Sequence, residues 1–244
     1  MELSLAKKSS LNSPGGDQIT SKISIPQMGR QAIQHSSPTS GMHRYMPNAG
    51  LASARAAVAA QLFKETGIDF SGDNVVMACG AGGALNVIMK TVADPGDEFV
   101  VFAPFFVEYH FYADNHGATC TVVPPDENFL PDLAAFKKSI NEKTRGVLIN
   151  SPNNPTGVLY GSDTLAEIAS IIQSKEDEFG TEIYLISDEP YRKLIFDGYD
   201  YPHIFQYHPR SIVATSHSKD LALPGERIGS VSYTHLTLPT ILLV

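Results

Sequence analysis

From about residue 44 onward, short continuous apolar runs alternate with longer stretches of helical periodicity. Residues 75–78 (VVMA), 99–103 (FVVFA), 118–123 (ATCTVV), 146–150 (GVLIN), 183–187 (IYLIS) and 212–215 (IVAT) read as buried strands. Helical segments are predicted between them at 83–93, 106–116, 131–140 and 162–178. An alanine-rich helix at 51–63 (LASARAAVAAQLF) precedes them, opened by an Asn-Ala-Gly turn. Strands that are apolar on both faces and separated by helices predict an α/β fold, a mostly parallel central sheet with helices on both faces. Ligands of such sheets bind at the carboxyl ends of the strands, so the residues that follow each run are where chemistry is expected.

Both ends of the chain break this pattern. Residues 1–41 are rich in Ser, Gly, Pro and Gln without steady periodicity and read as an irregular N-terminal segment. Residues 231–240 read VSYTHLTLPT, polar and threonine-rich where the sheet calls for another apolar strand. They match a translation of the transposase adapter used in library preparation, whose two preceding bases complete a codon for Ser230. The expectation is therefore a folded domain over 42–229, with 230–244 an adapter-derived tail to be left out of fold reasoning.

Composition narrows the function classes. With 43% hydrophobic and 18% charged residues among 244, the chain can bury a sizeable core. A formal net charge of -8 without a basic block argues against a nucleic-acid partner. Cys79 and Cys120 form no metal or disulfide pattern and suit a reducing, cytoplasmic setting. No apolar run is long enough for a signal peptide or a membrane span. His110, His116, His203, His208 and His217 form no ligand cluster, so no metal is assigned.

The strand ends carry the candidate chemistry. After the first strand, Cys79-Gly80-Ala81-Gly82-Gly83 opens a helix, where free backbone N–H groups cradle an anion. A dinucleotide fingerprint is excluded by Leu85, where a glycine or alanine is needed, and by the lack of an acidic residue at the right distance. Residues 104–109 (PFFVEY) place an aromatic at the mouth of the next strand, where it either stacks on a planar ligand or packs in the core. Residues 151–157 (SPNNPTG) form a rigid turn that aims an asparagine amide at the sheet edge. Asp188, in 187–191 (SDEPY), is costly at the end of a buried strand unless it meets a cation. Residues 216–229 (SHSKDLALPGERIG) set Lys219 eight positions before Arg227. A lysine amine attacks aldehydes only when neutral, a state that burial or a nearby cation favours.

Taken together, these segments resemble the pyridoxal-phosphate-dependent aminotransferases of class I/II, which have fold type I. The resemblance rests on Y-x-P-x-x-G-L at 45–51, the glycine turn at 80–83, P-x-[aromatic]-x-x-Y at 104–109, N-N-P-T-G at 153–157, D-E-P-Y at 188–191 and S-x-S-K…P-G-x-R-x-G at 216–229. It implies that pyridoxal 5'-phosphate is held as a Schiff base by Lys219, which then shuttles the substrate's α-proton. Asp188 would keep the pyridine nitrogen protonated, Tyr191 and Asn154 would bond the ring oxygen, and Phe106 would stack on the ring. Gly80, Ala81, Gly82, Ser216, Ser218 and Arg227 would form the phosphate site. Tyr45 would reach the phosphate of a neighbouring subunit, which implies a homodimer in the intact protein.

The family's C-terminal small domain, with the arginine that binds the substrate α-carboxylate, has no counterpart in this sequence. Residues 1–41 likewise lack the family's N-terminal pattern. The resemblance thus implies the large domain of an enzyme that moves an amino group between an amino acid and a 2-oxo acid, present here as an incomplete copy. Three alternatives stay open. A C–S lyase, other β-elimination enzyme or synthase would use the same fold. A cofactor-binding sensor module would need a basic DNA-binding domain. An inactive fragment would expose apolar surface.

Overall fold

The computed structural model describes residues 45–234 of the chain. The expectations for residues 1–41 and for 235–244 lie outside these residues. The elements run α1 (Ala52–Thr66), β1 (Val75–Cys79), α2 (Gly80–Val92), β2 (Glu98–Phe102), α3 (Glu108–Asp114) and β3 (Thr119–Val123). They continue with α4 (Leu133–Ser139), β4 (Thr144–Asn150), α5 (Ser162–Phe179), β5 (Tyr184–Asp188), β6 (Ser211–Ser216) and β7 (Ile228–Tyr233). Each apolar run read from the sequence is a strand, and each helical stretch between them holds a helix.

The strands join one sheet in the order β1-β7-β6-β5-β4-β2-β3. Neighbours from β3 across to β6 pair in parallel. β7 is antiparallel to both β1 and β6, so it alone runs against the others. Successive strand residues face opposite sides of the sheet, and both sides are covered. Val100 and Phe102 of β2 and Val147 and Ile149 of β4 pack with Leu62 of α1, Phe136 of α4 and Ile168 and Ile172 of α5. Their strand neighbours Phe99, Val101 and Leu148 pack with Leu85, Ile88 and Met89 of α2 and Ala113 of α3. Burying each such side chain stabilises the fold by about 1.5–3 kcal/mol, which is why the runs are apolar on both faces.

β7 corrects the expected end of the folded domain at Gly229, because the strand runs on to Tyr233 in the interior of the sheet. Val231 and Tyr233 join the core on the α2 side. Ser230 and Ser232 are buried at 3% and 2% exposure. A small-apolar alternation reads as a half-exposed edge, yet small hydroxyls fit where helices press close on a central strand. The direction of β7 also matters. The parallel strands end at one rim, whereas β7 begins there, so Arg227 just before it arrives at the same rim as the residues following β1, β4, β5 and β6.

Gly229 fixes this junction. It pairs with Ala78 on one side and Ser216 on the other. A Cβ there would lie 2.5 Å from the Gly80 carbonyl carbon and 2.7 Å from the Gly80 and Thr215 carbonyl oxygens. None of these backbone atoms can move aside cheaply. Gly229→Ala is therefore expected to destabilise the chain by about 3 kcal/mol, read from the urea midpoint. A change below about 0.5 kcal/mol would show that β1 and β7 are not tightly joined.

Candidate active site

The rim residues enclose an open cleft of about 340 Å³, within the range of small-molecule sites. Ala81, Gly82, Phe106, Asn154, Asp188, Tyr191, Ser216, Ser218, Lys219 and Arg227 all line it. Gly80 supports it from behind. Tyr45 is fully exposed at 106% and is not among the lining residues.

One end of the cleft is built for an anion. The chain turns at Gly80 with φ 70°, a left-handed conformation that favours glycine, and enters α2 directly. The N–H groups of the first helical turn have no intrahelical partner, and the helix end carries partial positive charge. A Cβ at Gly80 would come within 2.8 Å of Arg227 Nη2, so the glycine also makes room for the guanidinium. Arg227 itself has φ 52°, costly for a side-chain-bearing residue, between the turn Pro224–Glu226 and β7. The side chain is exposed, and Nη1 donates to the Pro224 carbonyl at 3.5 Å.

The other end is built around a buried acid. Asp188 closes β5 at 6% exposure. Tyr109 Oη donates to its Oδ2 at 2.7 Å, while Oδ1 is buried with no hydrogen-bond partner among the described residues. Burial drives the Asp188 pKa up to about 7; the Tyr109 hydrogen bond opposes this and the neighbouring Glu189 adds to it. Burial first, and then Asp188, hold the Tyr109 phenol well above its usual range, so it remains a donor. Glu189 points away to Arg192, whose Nη1 lies 3.5 Å from Oε2 and whose Nη2 reaches Glu65 Oε2 at 3.0 Å. The first carboxylate of the Asp-Glu pair thus serves the cleft and the second ties the turn to α1.

The turn after β4 is held by asparagines in three different ways. Asn153 is internal: Nδ2 donates to the Pro104 carbonyl at 3.1 Å, and Oδ1 accepts from Thr156 N at 3.2 Å and Oγ1 at 2.9 Å. Asn154 lines the cleft. Asn150, the last residue of β4, joins the two loops, donating from Nδ2 to the Asp188 carbonyl at 2.8 Å and accepting the Asn154 N–H at 2.6 Å.

Lys219 projects into the open cleft, exposed, with Nζ 5.5 Å from the centre of the Tyr191 ring. Its turn is clasped by His217, whose Nδ1 lies 3.1 Å from Asp220 Oδ2, and Asp220 also accepts the Leu221 N–H at 2.8 Å. Phe106 lines the cleft and meets Tyr109 edge-on, ring centres 5.9 Å apart.

Apart from Tyr45, the residues singled out from the sequence line the cleft or, like Gly80, adjoin it. Glu108 and Tyr109, within the 104–109 segment, and Asn150 and Tyr112 have no role assigned from the sequence. A polar residue ending an apolar strand signals Asn150, and a tyrosine on a buried helix face, which needs a partner for its hydroxyl, signals Tyr109.

Comparison with known proteins gives a consistent result. The family model for aminotransferase class I and II matches residues 12–240, so most of the segment read as unlike that family, and part of the tail, fall inside the match. A probable aspartate/prephenate aminotransferase of Thermus aquaticus is 31% identical over 84% of this chain and 51% of its own length. A probable aspartate aminotransferase of Methanocaldococcus jannaschii is 34% identical over 78% of this chain and 48% of its own. An aminotransferase crystal structure from Eubacterium rectale superposes with a TM-score of 0.83 at 38% identity, over 86% of this chain and 54% of that one. The chain spans about half the length of the curated relatives it matches.

Proposed function

The chain belongs to the class I and II aminotransferases, and from that membership we propose that its cleft binds pyridoxal 5'-phosphate and serves amino transfer between an amino acid and a 2-oxo acid. The observation that carries this reading is the polarity of the cleft. A buried carboxylate with an unpartnered Oδ1 stands at one end, and a helix N-terminus with an arginine stands at the other. That arrangement fits a ligand with a protonatable ring nitrogen at one end and a phosphate at the other.

When bound, pyridoxal phosphate supplies a carbonyl carbon that exchanges amino groups and a ring that draws electrons from the substrate α-carbon. The residues of the chain divide the remaining work. Asp188 holds a proton on the ring nitrogen through Oδ1, with Tyr109 fixing the carboxyl in place. Asn154 and Tyr191 donate to the ring oxygen, and Phe106 covers a ring face. Gly80, Ala81, Gly82, Ser216, Ser218 and Arg227 hold the phosphate by charge-assisted bonds. Lys219 would supply the amine that holds the cofactor's carbonyl carbon and, as the free amine, would take the proton from the substrate α-carbon. The same reading makes the whole protein a cytoplasmic homodimer, with the exposed Tyr45 serving the phosphate site of a second copy.

A half-reaction tests the proposal. The purified chain is loaded with pyridoxal phosphate and mixed with single amino acids, and the cofactor spectrum and products are followed. Conversion of the cofactor to its amine form with release of a 2-oxo acid is expected. Release of pyruvate and a thiol from a cysteine conjugate, without that conversion, would replace amino transfer by elimination. An unchanged spectrum across all amino acids would remove transfer by this chain.

A further inference from the structure

Arg227 and Tyr112 both reach the first turn of α2 from other elements, and the reading above accounts only for Arg227. Tyr112 belongs to α3. Its hydroxyl oxygen lies 2.7 Å from where a Cβ on Gly82 would be, so it fills the space that a side chain at position 82 would take. Tyr112 lines the same cleft as Ala81, Gly82 and Arg227. Its hydroxyl donates to the Glu108 carboxylate one helical turn back. Burial and then the Glu108 bond hold the phenol well above its usual pKa, with Arg227 pulling the other way, so the group keeps its proton.

A glycine at 82 offers an anion only its backbone N–H, and the phenol from the next helix delivers a hydroxyl to the same place. We propose that Tyr112 is a further phosphate-binding residue, which donates its hydroxyl to the cofactor phosphate in place of a side chain at position 82. Glu108 holds the phenol before the ligand arrives. On loading, the hydroxyl turns its one O–H from the Glu108 carboxylate to a phosphate oxygen, and the proton stays on the phenol. The proposal rests on the reading of the cleft as a pyridoxal phosphate site.

The test compares pyridoxal phosphate with pyridoxal, which lacks the phosphate, by absorbance titration of the full chain. Tyr112→Phe is expected to weaken pyridoxal phosphate binding about ten-fold, the scale of one hydrogen bond to a charged group. Pyridoxal binding should stay within about two-fold of the parent chain, since the lost bond goes only to the phosphate. Gly82→Ser alone should also weaken pyridoxal phosphate binding, because its Cβ meets the Tyr112 hydroxyl. In the Tyr112→Phe background the nearest remaining atom is the ring Cζ at 3.5 Å, an ordinary contact. Adding Gly82→Ser there should return a hydroxyl to the site and recover most of the lost affinity. Unchanged pyridoxal phosphate binding in Tyr112→Phe, or an equal loss for both ligands, would overturn the proposal. Failure of the cleft reading looks different: the parent chain itself would bind pyridoxal phosphate no better than pyridoxal, and the role of Tyr112 would fall with it.

Discussion

Replacing Lys219 with alanine is expected to abolish covalent retention of pyridoxal phosphate while leaving the fold intact. After borohydride reduction and denaturation, the parent chain should carry the cofactor on one peptide, with Lys219 as the modified residue. The Lys219→Ala chain should carry none above background, a loss on the order of a hundredfold or more when the one lysine amine lining the cleft among the described residues is removed. The fold should not suffer, because the side chain is exposed and its one described contact is with the Tyr191 ring. Truncating such a surface group changes stability by about 0.5 kcal/mol or less. Weak reversible binding should persist, since the phosphate and ring contacts come from other residues. Lys193 is the useful control. It is nearby, but its Nζ pairs with Glu65 at 3.7 Å and Asp220 at 3.9 Å, and it does not line the cleft. Labelling at Lys193 in the parent chain would overturn the assignment of the nucleophile.

Asp188→Asn is expected to stabilise the cofactor-free chain at pH 8 and to weaken its response to the cofactor. Folding raises the Asp188 pKa from 3.8 to about 7, with burial as the main cause. The folded state therefore binds the proton that the unfolded chain releases between those values. Stability contributed by the neutral acid is complete below the unfolded pKa and is lost as pH rises to about 7. The loss amounts to roughly 4 kcal/mol, and the asparagine chain lacks it. Urea unfolding of both chains from pH 4 to 8 reads the difference, with the advantage of the asparagine chain growing with pH and levelling off above about 7. Glu189 is raised in the same direction, chiefly by burial, and is common to both chains, so only its repulsion of Asp188 remains in the difference. With pyridoxal phosphate added, the order should reverse, because a carboxylate that meets a protonated ring nitrogen gains what it loses when alone. An asparagine chain that is less stable at pH 8 without cofactor would sink the argument.

Much of this was legible because each signal was local. β2, β4, β5 and β6 are continuous apolar runs, and continuity is what a sheet covered on both faces demands. Most of the cleft-lining residues follow those runs within a few positions, so the strands locate the lining of the cleft. What stayed hidden depends on partners far away in sequence. Tyr109 reads as core on α3, and only the fold brings its hydroxyl to a carboxylate on β5. Tyr112 and Gly82 gain their meaning from each other, across two helices. β7 is not legible because residues 231–240 read as a polar, threonine-rich, adapter-derived tail, and the burial of Ser230 and Ser232 depends on the neighbouring strands and helices rather than on the strand itself.

The place of β7 in the sheet sets an order on synthesis. β1 begins at Val75 and β7 at Ile228, so a ribosome delivers the glycine turn long before the arginine that completes it. Until then β1 and β6 keep unpaired edges open to each other and to other nascent chains. Closing so long a loop is an intrinsically slow step. The anion pole of the cleft is therefore among the last parts of the molecule to exist, and a ligand held there by a phosphate would arrive too late to guide the chain's early folding.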